Sequence, residues 1–219
     1  MKKYLLILSC CFACIQAFSK VQVAAGARVG MNLSHIRKLA EPAGYSKKIA
    51  LGSDFGGVVR VNFNKYIGLQ TEVLFSQKGQ RWTQKLDSIR NYNKLVSNYI
   101  EVPVLAVARV GSQKLKAVFY LGGYFAYWTG GYYQASTRMD KQTVASSHTD
   151  YDFSSGDQRI DAGLATGLGM EIKAGPAAVE IAVRPGFGLV DRSKINTAHT
   201  KTYNCNLFIS AAYLVTIGK

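Results

Sequence analysis

The sequence predicts an all-β protein, a closed antiparallel up-and-down transmembrane β-barrel of about eight strands with long outer loops and short periplasmic turns. Three observations predict it. About eight stretches of roughly ten residues alternate apolar with polar or small side chains, which gives a strand two different faces. The gaps between these stretches run long, short, long, short, as in outer-membrane barrels. An export signal precedes the first stretch.

The first four predicted strands carry the alternation most plainly. In the first, Val23, Val29 and Leu33 share a face opposite to that of Arg28 and Asn32. The second, third and fourth repeat this pattern, and Pro103 in the fourth withholds a ladder hydrogen bond, so we expect a local defect there. These strands are predicted over residues 23–34, 51–63, 66–78 and 98–109.

The last four predicted strands are richer in aromatic side chains. The fifth has aromatic residues on both faces, and the sixth has glycines at inward positions, where they leave room for bulkier neighbours. Because no helix N-terminus follows them, these glycines do not predict a nucleotide-binding loop. The strands are predicted over residues 117–128, 159–172, 177–187 and 203–217.

The connections between the predicted strands fall into two classes. Short turns are expected at Asn64-Lys65, at Gly111 to Lys114 and at Ala174 to Pro176. Long polar segments follow the odd-numbered strands, at residues 35–50, 79–97, 129–158 and 188–202. An even strand number also places both ends of the barrel domain on the periplasmic side.

Residues 1–19 are predicted to be a signal peptide, and residues 20–219 a single outer-membrane β-barrel domain. Lys2 and Lys3 precede a short apolar core, and Ala17-Phe18-Ser19 offers small residues at a cleavage site. A lipoprotein with a lipidated Cys10 is the alternative. The mature chain would keep Cys205 alone, which makes neither an intramolecular disulfide nor a zinc cluster.

The formal net charge of +14 restricts the partners. A basic protein could bind nucleic acid, but export and the lack of a basic helical stripe argue against it. Outer-membrane lipid and the phosphates of lipopolysaccharide are the expected counterions. A cell-envelope protein is a further candidate partner, and the barrel is expected to be a monomer.

Five segments of the sequence together point to a known family. They are Gly26 to Ser34, Leu69 to Gly79, Tyr99 to Pro103, Leu121 to Tyr124, and Asp161 to Gly163 followed by Gly167 to Gly169. In this order and spacing they resemble the PorT-like family of outer-membrane β-barrel proteins from Bacteroidetes-type bacteria, whose fold is the outer membrane protein beta-barrel domain. The resemblance covers nearly the whole mature chain and implies a Gram-negative cell-envelope barrel, usually without an assigned activity. Some relatives serve secretion and gliding machinery.

If the apolar faces meet lipid, charges of both signs collect inside the barrel. A barrel of about eight strands is filled by its own side chains, so these charges must pair. We therefore predict a lumenal salt-bridge network, with a gated proton or ion path as the alternative. Its predicted members are Arg28, Arg60, Glu72, Glu101, Asp161, Glu171, Glu180 and Arg184, and Lys78 and Arg109 share the same face.

A second group of charges lies in the predicted outer loops, with aromatic residues between them. It forms either a solvated rim or a surface for lipopolysaccharide phosphates, each cation contributing roughly 1 kcal/mol near a charged surface. The residues are Arg37, Lys38, Lys47, Lys48, Arg81, Lys85, Arg90 and Lys94.

Catalytic and metal chemistry is not predicted, and neither is a cofactor. The three histidines, His35, His148 and His199, lack metal-ligand spacing. Residues Ser146 to Asp150 could supply the groups of a hydrolase acting on lipid A or peptides, which is one alternative function. The other is a soluble exported ligand carrier of the lipocalin type, which would be apolar inside and charged outside.

Overall fold

Ten antiparallel strands make up the chain in a computed structural model, which describes residues 21–140, 142–153, 157–192 and 201–217. The predicted leader lies outside the described residues. The strands are β1 (Gln22–Arg37), β2 (Ser46–Lys48), β3 (Ala50–Asn62), β4 (Ile67–Leu86), β5 (Ile89–Gly111), β6 (Leu115–Met139), β7 (Gln142–Asp150), β8 (Ile160–Ala174), β9 (Ala177–Gly188) and β10 (Tyr203–Ile217).

Eight of these strands close into a ring, which confirms the predicted fold class. Neighbours in the sequence pair along the ring, and β1 pairs both β3 and β10, which closes it. The two remaining strands are not members of the ring. β2 pairs with β4, and β7 pairs with β6. The eight-stranded ring therefore has no edge strand.

The predicted outer loop over residues 79–97 is wrong. β4 continues to Leu86 and β5 starts at Ile89, so the segment is a long hairpin that turns at Asp87 and Ser88. Asp87 adopts the left-handed conformation that such a tight turn needs (φ 43°). Polar side chains stand on both faces of this hairpin, for example Gln80 and Arg81, and so the alternation that marks the rest of β4 and β5 is missing from its sequence.

The predicted loop over residues 129–158 is also mostly strand. β6 runs on to Met139 and pairs with the exposed strand β7. The predicted loop over residues 35–50 contains the short strand β2. Of the predicted loop over residues 188–202, the part 193–200 lies outside the described residues.

The two faces of the ring differ as the alternation predicts. Apolar side chains stand exposed on the outside, for example Val73 at 59% and Leu121 at 67%, whereas Glu72, next to Val73, is 1% exposed. The arrangement is the reverse of a lipocalin, so that alternative is wrong. No helix that is long and apolar enough to cross a membrane occurs among the described residues.

The ring has two unlike ends. At one, called the turn end, β3–β4, β5–β6 and β8–β9 are joined by short turns. At the other, called the loop end, β4, β5 and β6 project as strands of 20, 23 and 25 residues. This sorting of short and long connections to opposite ends confirms the expected alternation.

Two local expectations are also confirmed. The β4–β5 ladder is interrupted between the pairs Thr71–Val104 and Leu74–Glu101, at the position of Pro103. A Cβ atom added to Gly167 would lie 2.5 Å from Cγ of Arg184, so this glycine does leave room for a large inward side chain.

Candidate functional site

The middle of the lumen is organised around Glu72. Arg184 donates to it in a fork, with Nη1 and Nη2 each 2.7 Å from a carboxylate oxygen. Arg28 Nη1 lies 2.5 Å from Glu72 Oε2, and Arg28 Nη2 lies 3.1 Å from Asp54 Oδ1. A carboxylate held by two guanidinium groups in this way keeps its charge neutralised without water.

Towards the turn end the network continues through Gln70 to Arg60. Arg60 Nε donates to Gln70 Oε1 at 2.7 Å, and Gln70 donates in turn to Glu72. The Arg60 guanidinium also contacts Glu171 at 2.8 Å, and it contacts Glu180. One arginine thus bridges strands β3, β4, β8 and β9 across the lumen.

Towards the loop end a buried lysine takes the place of arginine. Lys78 Nζ lies 2.6 Å from Glu101 and 3.4 Å from Asp161. The rings of Tyr99 and Tyr124 lie 5.0 and 4.4 Å from the same nitrogen. The cation is therefore surrounded by two carboxylates and two aromatic faces.

The structure brings all eight predicted network residues into the lumen and buries each of them. Glu72 and Arg184 meet directly, whereas Glu101 and Asp161 meet through Lys78. Asp54 also belongs to the network and was not predicted, although its position two residues before Gly56 places it on the inner face. The identity of the pairs was not predictable, because partners come from strands as far apart in the chain as Glu72 and Arg184.

Above the network, aromatic side chains fill the mouth of the ring at the loop end. Trp128 is 1% exposed, and its ring stacks near Tyr99 and packs against Tyr151 and Phe153. The Arg192 guanidinium lies 4.7 Å from the Trp128 ring. With charges in the middle and aromatic rings on top, the lumen is packed by side chains.

The predicted basic outer-loop residues lie on the projecting hairpin and its neighbours. Five of them stand opposite one another across strands, with Lys48 opposite Arg81, Arg81 opposite Lys94, and Lys85 opposite Arg90. We call these five residues the basic ladder. Because like charges directly opposite one another destabilise a sheet, the cations of the ladder repel one another.

The other three basic outer-loop residues are not part of the ladder. Lys47 lies 3.9 Å from Glu41. Arg37 ends β1 opposite Tyr203, and Lys38 follows it in the left-handed conformation (φ 57°). The structure therefore separates the predicted surface into a five-residue ladder and scattered cations.

The environment of Lys94 shows what the ladder does to its members. Its Nζ donates to the Leu51 carbonyl at 3.0 Å. Partial burial, together with the charge of Arg81, lowers the pKa of Lys94 below that of an ordinary lysine. A bound anion would act in the opposite direction and stabilise the charged lysine.

The residues considered for catalysis lie on an open strand. Ser146, His148 and Asp150 share one face of β7, and all three are exposed. His148 Nε2 lies 3.6 Å from Asp150 Oδ1, and its ring packs beside Tyr132. No group of three or more potential metal ligands occurs in the described part of the chain, and His199 lies outside it.

Solved structures offer only distant likenesses. Ail of Yersinia pestis, crystallised with a heparin analogue, is 16% identical with a TM-score of 0.42, covering 88% of this chain and 99% of that one. OprG of Pseudomonas aeruginosa is 10% identical with a TM-score of 0.45, covering 91% and 96%. Neisserial surface protein A is 12% identical with a TM-score of 0.41, covering 90% and 97%. Likenesses at this level carry no argument about function.

The sequence itself assigns the family. No curated protein matches this chain. The family described as "Outer membrane protein beta-barrel domain" matches residues 16–192, which is most of the chain. The chain therefore belongs to the outer membrane protein beta-barrel domain family, and it is a protein of the cell outer membrane.

Proposed function

We propose that this protein is a monomeric, non-enzymatic outer-membrane barrel that binds the phosphates of lipopolysaccharide through its basic ladder. In barrels of this class the short turns face the periplasm, so the loop end and its ladder face outward. The main observation in support of anion binding is that Arg81 and Lys94 lie directly opposite each other. Their repulsion is relieved when an anion binds between them.

The exposed apolar side chains on the outside of the ring, such as Val73 and Leu121, form what we call the apolar belt. The position of the basic ladder relative to this belt supports lipopolysaccharide as the ligand. Arg81 and Lys85 lie on the same face of β4 as the exposed side chain of Val73 and the half-buried side chain of Phe75, further towards the loop end. Cations that continue the outer face beyond the apolar belt reach the level of the lipid headgroups. Lipopolysaccharide phosphates are the anions that the outer leaflet offers there.

The packed lumen supports a structural role for the interior. Each charged member of the network has a partner of opposite sign, and Trp128 and its aromatic neighbours fill the outer mouth. We infer that these contacts hold the cylinder shut and that no ion path runs through it. Single-channel recordings in planar bilayers are expected to show no conductance steps, and regular steps would contradict this inference.

We also propose that residues 1–19 are a cleaved signal peptide and that the protein belongs to the PorT-like branch of its family. The charged start, the apolar core and the small residues at Ala17-Phe18-Ser19 support a signal peptide over residues 1–19. The five motif segments that resemble the PorT-like family support a place in that branch of the barrel family. Mass spectrometry of the mature protein from the outer-membrane fraction would test the cleavage before Lys20.

Lipopolysaccharide binding is tested with the full-length mature protein in maltoside micelles. Calorimetric titration with lipopolysaccharide should show binding that weakens as salt is raised and that falls strongly with dephosphorylated lipopolysaccharide. Equal binding of both forms would contradict the proposal. Binding of an envelope protein by a variant that no longer binds lipopolysaccharide would assign the surface to that partner instead.

The non-enzymatic part of the proposal has its own test. The exposed set on β7 is open to solvent, and its His148–Asp150 pair is not covered by other elements. Preorganised groups in a water-excluded site are what acyl transfer requires. Incubation with lipid A and with peptides is expected to yield no product, and turnover that disappears in His148→Ala would contradict this.

A further inference from the structure

A cavity of about 540 Å³ opens at the turn end of the barrel, opposite to the basic ladder. This volume is within the range of small-ligand sites. The three short turns surround it, and its lining includes Tyr66 and the cations Lys65, Arg109, Lys114, Lys116 and Lys173. We call it the turn-end pocket. No aspartate or glutamate lines it.

The lysines of the turn-end pocket contact uncharged groups. None of Lys65, Lys114, Lys116 and Lys173 forms an ion pair with a carboxylate among the described residues. Lys65 Nζ lies instead 4.8 Å from the ring of Tyr66, and Lys116 Nζ lies 3.5 Å from the Lys65 carbonyl. In the described part of the barrel, no carboxylate is therefore directly bonded to these four cations.

The nearest carboxylate is already used by the lumen network. Glu171 lies opposite Lys116 in the β6–β8 register, but it is buried and contacts Arg60 at 2.8 Å. Arg109, which is 4% exposed, lies 3.8 Å from the same carboxylate. The charge of Glu171 is thus neutralised from the lumen side, and the pocket keeps its excess of cations.

The walls of the pocket are tied together by the backbone and by Arg109. Arg109 N donates to the Tyr66 carbonyl at 2.7 Å, and its Nη2 donates to the Asn64 carbonyl at 3.1 Å. Lys173 N donates to the Lys114 carbonyl at 2.8 Å. The first two bonds join the β3–β4 turn to β5, and the third joins β8 to the β5–β6 turn, so the backbone around the pocket and Arg109 are fixed before any ligand arrives.

We propose that the turn-end pocket is a binding site for a phosphate group on the periplasmic side of the outer membrane. A phosphate monoester carries a charge of about −1.5 to −2 and three acceptor oxygens. It can therefore accept from several lysines at once, whereas a carboxylate brings one charge. Two sources present a phosphate group there. One is a free phosphate of the periplasm, which has the higher charge, and the other is the phosphodiester headgroup of a phospholipid in the inner leaflet, which has a single negative charge and two free acceptor oxygens.

The site is tested on the full-length mature protein in maltoside micelles, which contain no phosphate. The first arm is calorimetric titration with inorganic phosphate, and the second is native mass spectrometry with added phosphatidylglycerol. The pocket variant is Lys114→Gln/Lys173→Gln. The matched control is Lys38→Gln/Lys201→Gln, which removes two exposed lysines from the loop end.

We expect the pocket variant to weaken binding by roughly tenfold or more, and the control to leave it unchanged. Binding of inorganic phosphate with this pattern identifies a free phosphate as the ligand. The same pattern with phosphatidylglycerol alone identifies a lipid headgroup. Binding of neither probe, or equal weakening by both variants, overturns the proposal.

Two further measurements keep the result interpretable. Mobility of unboiled and boiled samples on a denaturing gel shows whether each variant is folded, and Lys65→Gln, which lies in an exposed turn, serves as a milder second variant. The pocket variant should bind lipopolysaccharide as the wild type does. Loss of phosphate binding at this pocket is therefore distinguishable from failure of the lipopolysaccharide proposal.

Discussion

The lumen network and the basic ladder use the same strands in opposite ways. Inside the ring, Glu72 and Glu101 contact cations from other strands and are closed off from water. Outside, on the projecting part of β4 and β5, Arg81 and Lys94 face each other as like charges, and Arg81 stays exposed. The first arrangement is satisfied within the fold, whereas the second leaves like charges opposite each other, which is why we propose an external anion as its ligand.

The difference teaches which charges serve stability and which serve binding. Removal of one member of a buried pair leaves an uncompensated charge in a low-dielectric interior, which is expensive. Removal of one member of an exposed like-charge pair relieves repulsion and costs the fold little. Substitutions in the two regions should therefore separate stability from ligand binding.

The largest effect is expected for Glu72→Gln. This change leaves Arg28 and Arg184 in the lumen without their shared carboxylate. The free energy of unfolding should fall by about 3–5 kcal/mol, as for other broken buried pairs. Urea titration of the protein in liposomes, followed on unboiled denaturing gels, measures it.

The matched control is Glu41→Gln, which removes the same charge from an exposed position beside Lys47. It should change stability by less than about 1 kcal/mol. If the two variants unfold at the same urea concentration, the lumen network does not hold the barrel together.

The next largest effect tests the outer belt. Val73 is exposed on the outside of β4, and Val73→Lys should cost about 2–4 kcal/mol if the side chain meets hydrocarbon near the bilayer midplane. Leu86→Lys changes an equally exposed apolar residue beside the hairpin turn, beyond the belt, and should cost close to nothing. If both substitutions lower the free energy of unfolding by a similar amount, Val73 does not lie in a lipid-facing belt from which Leu86 is excluded.

A smaller effect is expected from the ladder variant Arg81→Gln/Lys85→Gln. Because it removes two cations from the proposed binding surface, affinity for lipopolysaccharide should drop by roughly tenfold at low salt. Stability should stay the same or rise slightly, since repulsion across the hairpin is relieved. Calorimetry and urea titration on the same samples measure both. Unchanged affinity would remove the ladder from the binding surface.

The smallest effect concerns pH. A lysine is charged below its pKa, and the pKa of Lys94 is lowered by burial and by Arg81. As pH rises, Lys94 therefore loses its charge before an ordinary lysine does, and lipopolysaccharide binding should begin to weaken at that earlier pH. Lys94→Gln should abolish this early weakening. A wild type and variant with identical pH profiles would exclude Lys94 from the contact.

Much of this fold could be predicted from the sequence because a strand between lipid and a polar lumen alternates apolar and polar side chains. Where one face meets lipid and the other a polar lumen, as around Val73 and Glu72, side chains alternate and each can be assigned to a face. Beyond the barrel, as around Thr83 in β4 and Asn91 in β5, polar side chains occur on both faces and the alternation is absent. The projecting hairpin was therefore predicted as a loop.

The sites were predictable only in part, for a related reason. The face of Arg184 follows from its position in the strand, but its partner Glu72 follows from the register of the whole ring. The turn-end pocket was not predicted at all, because its lysines come from three separate turns. Neither short motifs nor periodicity reports which turns lie side by side.

The gap in the β4–β5 ladder at Pro103 has a consequence for how the barrel comes apart. On one side of the gap Lys78 and Glu101 span the same two strands at 2.6 Å. This ion pair links β4 and β5 next to the interrupted part of their hydrogen-bond ladder. When the ion pair breaks, the backbone amides beside the gap should exchange with heavy water earlier than those of the continuous β1–β10 pairing.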